Sequence, residues 1–178
     1  MNTLPQMFAN VAEQNAERTS IVDSEKVIDY ETLQRSVTSL AIELCDKGVC
    51  HGDRVALLLP NGLDFVKSYL AIATVGAIAV PLNDHYQQRE LLYFFEECGV
   101  SLVITSHTFS DLCYQVLSMS GHPPKLVFVE DRAEVPGAKL KSFMDLKVDI
   151  NPDSAVMYQY SSGTTGRPKR IGRTHANL

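Results

Sequence analysis

The sequence predicts a doubly wound α/β fold, in which helices cover both faces of a mostly parallel sheet. From residue 54 onward, five short apolar runs alternate with helical segments, and this alternation is typical of parallel strands joined by crossover helices. The runs lack the polar–apolar alternation of a half-exposed strand, so both faces of each strand are expected to be buried. With 178 residues, 45% of them apolar, the chain is long enough for one sizeable core.

The first 50 residues precede this alternation and predict a helix, a hairpin and a second helix. Apolar residues at helical spacing begin at Leu4, with Thr3 as the expected N-cap. Residues 20–23 and 26–29 predict two strands around a tight turn. The second helix follows this hairpin and ends at Gly48, because glycine favours the backbone conformation of a helix C-cap.

The alternating part of the chain predicts strands and helices in turn. The apolar runs place strands at 54–59, 78–82, 101–105, 125–129 and 155–160. Helical spacing of apolar residues predicts three helices, which pass through Phe65 and Ile72, Leu91 and Phe95, and Leu112 and Val116. Residues 131–153 contain two prolines and one glycine, and they predict a long connection inside one domain.

Charge and hydropathy exclude several classes of protein. The 16 basic and 21 acidic residues leave a net charge of −5, which disfavours non-specific nucleic-acid binding. No apolar run approaches the ~20 residues of a bilayer span, so we expect no transmembrane segment and a cytoplasmic location. The four cysteines lack metal-ligand spacing, so we expect reduced thiols and no metal site.

The last predicted strand is followed by a loop rich in hydroxyls, glycines and cations. Residues 161–170 contain four Ser or Thr, two Gly and three Lys or Arg, and no acid follows Asp153. Glycines let backbone N–H groups approach an anion, and hydroxyl and lysine side chains bind phosphate oxygens. The composition predicts a polyphosphate-binding loop that matches neither the Walker A nor the dinucleotide fingerprint. An exposed polar loop without a ligand is the alternative.

The order of residues in this loop resembles the signature of the adenylate-forming superfamily. The family pattern is Thr/Ser-Ser-Gly-Thr-Thr-Gly-x-Pro-Lys-Gly and then Thr/Ser-His-x-Asn, and this chain has YSSGTTGRPK at 160–169 and THAN at 174–177. Three further segments resemble the same family in the same order: IDYETL (28–33), GDRVA with LPN (52–61) and GAIAVPLN (76–83). The resemblance therefore extends over nearly the whole chain.

This resemblance implies that residues 1–178 are the N-terminal subdomain of an AMP-binding domain, the first part of the large domain of an adenylate-forming enzyme. The acyl pocket and the small C-terminal domain are not in this sequence. Residues that match the family's phosphate loop would grip the β and γ phosphates of ATP: Ser161, Ser162, Gly163, Thr164, Thr165, Gly166 and Lys169. No catalytic residue or metal ligand is assigned, so the fragment alone is expected to be inactive.

The implied activity is that of an AMP-forming acyl-CoA synthetase, of the fatty-acid CoA ligase type. Such an enzyme activates a carboxylic acid with ATP and Mg²⁺ to an acyl-adenylate and transfers the acyl group to coenzyme A. The expected partners are ATP, the acid and the remainder of the same polypeptide. Two alternatives stay open: an amino-acid adenylation domain of a peptide synthetase, and a non-catalytic nucleotide-binding module.

Three residues need separate comment. Arg170 stands where the family usually has Gly, so its backbone is either left-handed with the side chain on the phosphates, or right-handed with the side chain in solvent; we favour the second. His175 lies in the family's Thr-His-x-Asn segment, where capping, packing and ligand contact remain possible roles. Glu97 follows Glu96 on an amphipathic helix and is interpreted as part of a solvated face.

Overall fold

The computed structural model describes residues 2–23, 26–131, 148–161 and 168–178. Five α-helices lie in these ranges: α1 (Leu4–Gln14), α2 (Tyr30–Asp46), α3 (Leu63–Thr74), α4 (Gln88–Cys98) and α5 (Ser110–Met119). The strands are β1 (Thr19–Val22), β2 (Val27–Asp29), β3 (Arg54–Leu58), β4 (Ile78–Pro81), β5 (Leu102–Thr105), β6 (Lys125–Phe128), β7 (Ala155–Ser161) and β8 (Lys169–Thr174). Short 3₁₀ turns follow at His107–Phe109, Val129–Asp131 and His175–Asn177.

The main sheet has six strands in the order β6-β5-β3-β4-β7-β8. Strands β6, β5, β3, β4 and β7 are parallel, and β8 alone runs antiparallel, paired with β7. Strands β1 and β2 form a separate antiparallel hairpin. The chain steps from β3 to β4 on one side and then crosses back to β5 on the other. The predicted mostly parallel, doubly wound sheet is confirmed.

Two hydrophobic cores lie on opposite faces of this sheet. One joins α1, α2 and α3 to Val55 and Leu57 of β3. The other joins α4 and α5 to Ala56 and Leu58 of the same strand. Alternate residues of β3 therefore enter different cores, which explains why the strand reads as a continuous apolar run.

Helix ends follow the sequence signals. At the start of α1, the backbone N–H of Thr3 donates to Gln6 Oε1 at 2.9 Å, and Asp29 caps α2 by accepting from the Thr32 backbone N–H at 2.7 Å. The hydrogen bonds from Thr32 lower the pKa of Asp29. Helix α4 ends at Gly99, whose φ of 60° is left-handed, as a glycine C-cap requires. Within the part of the chain that the structure describes, no helix has the length and apolar content to cross a membrane.

Strand β8 is the element that the sequence does not predict. Its residues, KRIGRT, include three cations and a glycine, and five of the six are exposed. Such a segment lacks the apolar pattern of a buried strand. It is extended because each of its residues from Lys169 to Gly172 lies opposite a residue of β7 in an antiparallel register.

Candidate functional site

The glycine-rich loop connects β7 to β8 at the carboxyl edge of the parallel sheet. Ser161 ends β7, Lys169 begins β8, and the two lie directly opposite each other in the hairpin register. Both are exposed. The other predicted phosphate-binding residues, Ser162, Gly163, Thr164, Thr165 and Gly166, lie outside the described residues. The structure therefore places the two flanks of the predicted site side by side.

The position of this loop suits a ligand site. In open α/β sheets, ligands bind beyond the carboxyl ends of the strands, near the point where the strand order reverses. Here the reversal occurs around β3, whose carboxyl end leads to α3 on one face, while neighbouring β4 and β5 lead to α4 and α5 on the other. Strand β7 is the next neighbour of β4 in the sheet, so the turn of the β7–β8 hairpin lies at the same carboxyl edge.

A cleft of about 610 Å³ opens at this edge beyond β3, β5 and β6. Its walls include three carboxylates, from Asp23, Asp64 and Glu130, and one ammonium group, from Lys26. The carboxylate of Asp23 accepts from the Leu63 backbone N–H at 3.0 Å, which holds the start of α3. This excess of negative charge among the lining residues opposes the binding of a polyphosphate in the cleft.

Lys169 and Arg170 carry their charges to opposite faces of β8, because successive side chains of a strand alternate. Lys169 shares its face with Ser161, its partner across the hairpin. Among the described residues no acid forms an ion pair with Lys169, so its ammonium group is available to an anion. Arg173, on the same face, donates through Nε to Gln159 Oε1 at 3.3 Å.

Both hypotheses for Arg170 are wrong about its backbone. The residue lies inside β8, opposite Tyr160, so its backbone is extended rather than left- or right-handed helical. Its side chain is not free in solvent: Nη1 lies 3.7 Å from Glu97 Oε1, and Cζ lies 4.9 Å from the centre of the Tyr158 ring. Partial burial lowers the pKa of Arg170, but Glu97 and the nearby tyrosines outweigh it and raise that pKa overall.

Glu97 is a functional candidate that sequence reasoning missed. Instead of belonging only to a solvated helix face, its carboxylate accepts from the Tyr160 hydroxyl. The Tyr160 oxygen also lies 2.6 Å from Cys98 Sγ. Burial, followed by the hydrogen bonds to Cys98 and Glu97, raises the pKa of Tyr160, so the phenol stays protonated and donates. The i, i+3 and i, i+4 spacing of Phe94, Glu97 and Cys98 is the sequence signal that these three share one side of α4.

His175 has a packing role. The ring is 3% exposed, and its Nδ1 accepts from the Leu4 backbone N–H at 3.3 Å, which joins the end of the chain to the start of α1. Its Nε2 is buried and has no hydrogen-bond partner in the described structure. Burial, and then the charge of His51, lower the pKa of His175. The turn that it begins is capped by Asn177, whose Oδ1 accepts from the Thr174 N–H at 2.9 Å, and not by His175 itself.

In the described ranges, no group of three His, Cys, Asp or Glu side chains is placed to hold a metal ion. The hydroxyl of Ser161 and the ammonium group of Lys169, which pairs with no acid among the described residues, lie on one side of the hairpin. Both would contact a ligand bound beyond β7.

A protein-family model and several curated proteins match this chain. The family model described as "AMP-binding enzyme" matches residues 8–178. A 3-hydroxybenzoate–CoA/4-hydroxybenzoate–CoA ligase from Thauera aromatica is 31% identical over 91% of this chain and 32% of its own length. Syringomycin synthase SyrB1 from Pseudomonas syringae pv. syringae is 29% identical over 98% of this chain and 27% of its own length.

Solved structures show the same fold. An inhibitor-bound N-terminal domain of FACL13 from Mycobacterium tuberculosis superposes with a TM-score of 0.84 at 24% identity, over 98% of this chain and 45% of that one. The chain spans about a third or less of the length of the curated relatives that it matches. Since the family model covers nearly every residue, this chain belongs to the AMP-binding enzyme family.

Proposed function

We propose that this chain provides the phosphate-binding loop of an acid–thiol ligase, which activates a carboxylic acid with ATP and transfers the acyl group to coenzyme A. The supporting observation is the β7–β8 hairpin, which holds Ser161 and Lys169 side by side at the carboxyl edge of the sheet. Residues 162–166, between them, add the glycines and hydroxyls that phosphate binding uses. In this proposal, residues 1–178 are the N-terminal subdomain of the AMP-binding domain, and the remainder of the polypeptide completes the enzyme.

Lys169 is proposed to stabilise the leaving pyrophosphate. When the carboxylate attacks the α-phosphorus, the bond to the bridging oxygen breaks and negative charge grows on the departing group. An ammonium group placed beside that charge lowers the barrier without changing its own protonation. The Ser161 hydroxyl would donate to a phosphate oxygen from the opposite strand. When bound, Mg²⁺ would supply further positive charge to the phosphates.

Within this class, the sequence resemblance favours a fatty acid as substrate and coenzyme A as acceptor, and a cytoplasmic location remains part of the same proposal. The second candidate is an amino-acid adenylation domain, which the similarity to syringomycin synthase supports. A panel of fatty, aryl and amino acids in an ATP–pyrophosphate exchange assay of the full polypeptide distinguishes them. Thioester formation with coenzyme A, or with a carrier domain, then identifies the acceptor.

The role of Lys169 is tested by Lys169→Met in the full polypeptide. We expect ATP–pyrophosphate exchange to fall by roughly tenfold to a hundredfold, because one charge-assisted contact to the leaving group is lost. The matched control is Lys47→Met, which removes a lysine paired with Glu43 at the surface, near the end of α2. Unchanged exchange in Lys169→Met, or an equal loss in both variants, would contradict the proposal.

A further inference from the structure

One carboxylate at the end of α4 holds both strands of the hairpin that carries the loop. Glu97 accepts from the Tyr160 hydroxyl of β7 and lies 3.7 Å from the guanidinium of Arg170 on β8. Tyr160 and Arg170 are direct partners across the hairpin. We call these three residues the Glu97 junction.

The junction lies next to Ser161 and Lys169 on the two strands. Tyr160 precedes Ser161, and Arg170 follows Lys169. Because side chains alternate along a strand, Tyr160 and Arg170 face α4 while Ser161 and Lys169 occupy the other face of the hairpin. The junction can therefore fix the separation of the two strands without competing for a bound phosphate.

Aromatic packing keeps the junction in place. The Tyr160 ring packs against Phe94 of α4 at 4.6 Å between ring centres, and the Arg170 guanidinium lies over the Tyr158 ring. Gly172 is opposite Tyr158, and a Cβ there would lie 3.6 Å from that ring. The side chains of Arg170 and Glu97 are 43% and 30% exposed. An isolated pair this exposed contributes little, whereas a pair already ordered by neighbouring contacts loses less side-chain entropy when it forms.

We infer that Arg170 is a positioning residue, which acts through Glu97 to hold Ser161 and Lys169 at the spacing that the ATP phosphates require. This inference rests on the proposed function and goes beyond it, since the glycine usual in the family at this position has no side chain to make the contact. Arg170 itself touches no substrate. Its substitution should weaken the binding of ATP without affecting the binding of the acid.

The test uses four variants of the full polypeptide: Arg170→Met, Glu97→Gln, the double variant that combines them, and the exchanged pair Arg170→Glu with Glu97→Arg. Glutamine keeps an acceptor for Tyr160 while it removes the charge. Arg173→Met is the control, because Arg173 lies on the same strand but contacts Gln159 on the other face. The measurements are the KM for ATP, the KM for the acid, and amide hydrogen exchange at Ser161 and Lys169.

We expect each single substitution to raise the KM for ATP by about threefold to tenfold, with the KM for the acid changed less than about twofold. The combined variant should resemble the worse single variant, and the exchanged pair should recover part of the loss, because it restores the ion pair but removes the Glu97 acceptor for the Tyr160 hydroxyl. Amide hydrogen exchange at Ser161 and Lys169 should accelerate in the variants whose KM for ATP rises, and it should not accelerate in the Arg173→Met control.

Two results would overturn the inference. One is amide exchange unchanged by Arg170→Met. The other is accelerated exchange with an unchanged KM for ATP in an active protein, because Arg170 would then serve only the fold. If the unsubstituted protein neither binds nor uses ATP, the proposed function fails. Amide hydrogen exchange in the single and combined variants then reports on the junction separately, because it does not depend on ATP.

Discussion

The centre of the main sheet and its β7–β8 edge are held together by different kinds of contact. In β3 and β5, every residue except Arg54 is buried, and the side chains pack into two apolar cores. In β8, five of six residues are exposed, and the hairpin meets α4 through Tyr160, Arg170 and Glu97. Apolar burial therefore stabilises the fold at the centre, whereas polar and aromatic contacts position the candidate site at the edge.

This difference separates stability from function within one sheet. Buried apolar area is non-directional, so it stabilises the central strands without setting the position of a particular polar group. Hydrogen bonds and ion pairs are directional but contribute little to stability where water competes. Substitutions at the edge should therefore alter ligand binding at a small cost in stability, and substitutions at the centre should do the reverse.

The largest expected effect comes from shortening a side chain at the centre. Leu57 is fully buried in β3, so Leu57→Ala should lower the free energy of unfolding by about 2–5 kcal/mol through lost burial and an unfilled cavity. Ile171 in β8 is 43% exposed, and Ile171→Ala should cost less than about 1 kcal/mol. Urea unfolding followed by circular dichroism measures both. Equal losses would show that the edge hairpin is as strongly packed as the centre.

The same difference explains how much the sequence could predict. The central strands and α1–α5 were predicted because burial on both faces leaves an apolar run, and helices show apolar spacing. Strand β8 has neither pattern, because its extended backbone depends on pairing with β7. The partners of Arg170 were missed for a related reason: the contact to Glu97 joins residues 73 positions apart, 170 − 97, and no local pattern indicates it.

The loop itself was predicted from composition and family resemblance rather than from periodicity. Ser161 and Lys169 lie where such a loop should begin and end, at the carboxyl edge of β7. Phosphate binding by these two residues and by 162–166 stays a prediction. His175 shows a different limit, since the sequence allowed ligand contact as well as packing, and only its burial beside Leu4 distinguishes the two.

An intermediate loss of stability is expected from alanine at Gly76, compared with alanine at Gly172 in the edge strand β8. Gly76 follows α3 with φ +72°, and a Cβ there would lie 2.7 Å from His51 Cδ2. Gly76→Ala should therefore cost about 1–3 kcal/mol, from the left-handed backbone and the steric clash. Gly172 in β8 has no such φ, and the nearest atom to its Cβ would be 3.6 Å away, so Gly172→Ala should change stability by less than about 0.5 kcal/mol. Thermal unfolding of both variants provides the comparison, and a larger loss at Gly172 would contradict it.

The smallest expected effect concerns His175, which joins the two regions because it follows β8 and contacts the start of α1. Its pKa is lowered in the folded protein by burial, so the unfolded chain binds a proton at higher pH than the folded one does. Stability from this group is complete above the unfolded pKa of about 6.5 and declines as the pH falls below it.

His175→Asn keeps an oxygen acceptor for the Leu4 N–H but cannot be protonated. The melting temperature should therefore fall less between pH 7.5 and pH 5 in this variant than in the unsubstituted chain. The lowered pKa of Asp29 affects stability only below its ordinary value of 3.8, which lies outside this pH window. His85→Asn is the control, since it makes the same substitution at a side chain that is 91% exposed. An identical pH dependence in the His175→Asn variant and the unsubstituted chain would show that the buried imidazole is not what couples this edge of the fold to pH.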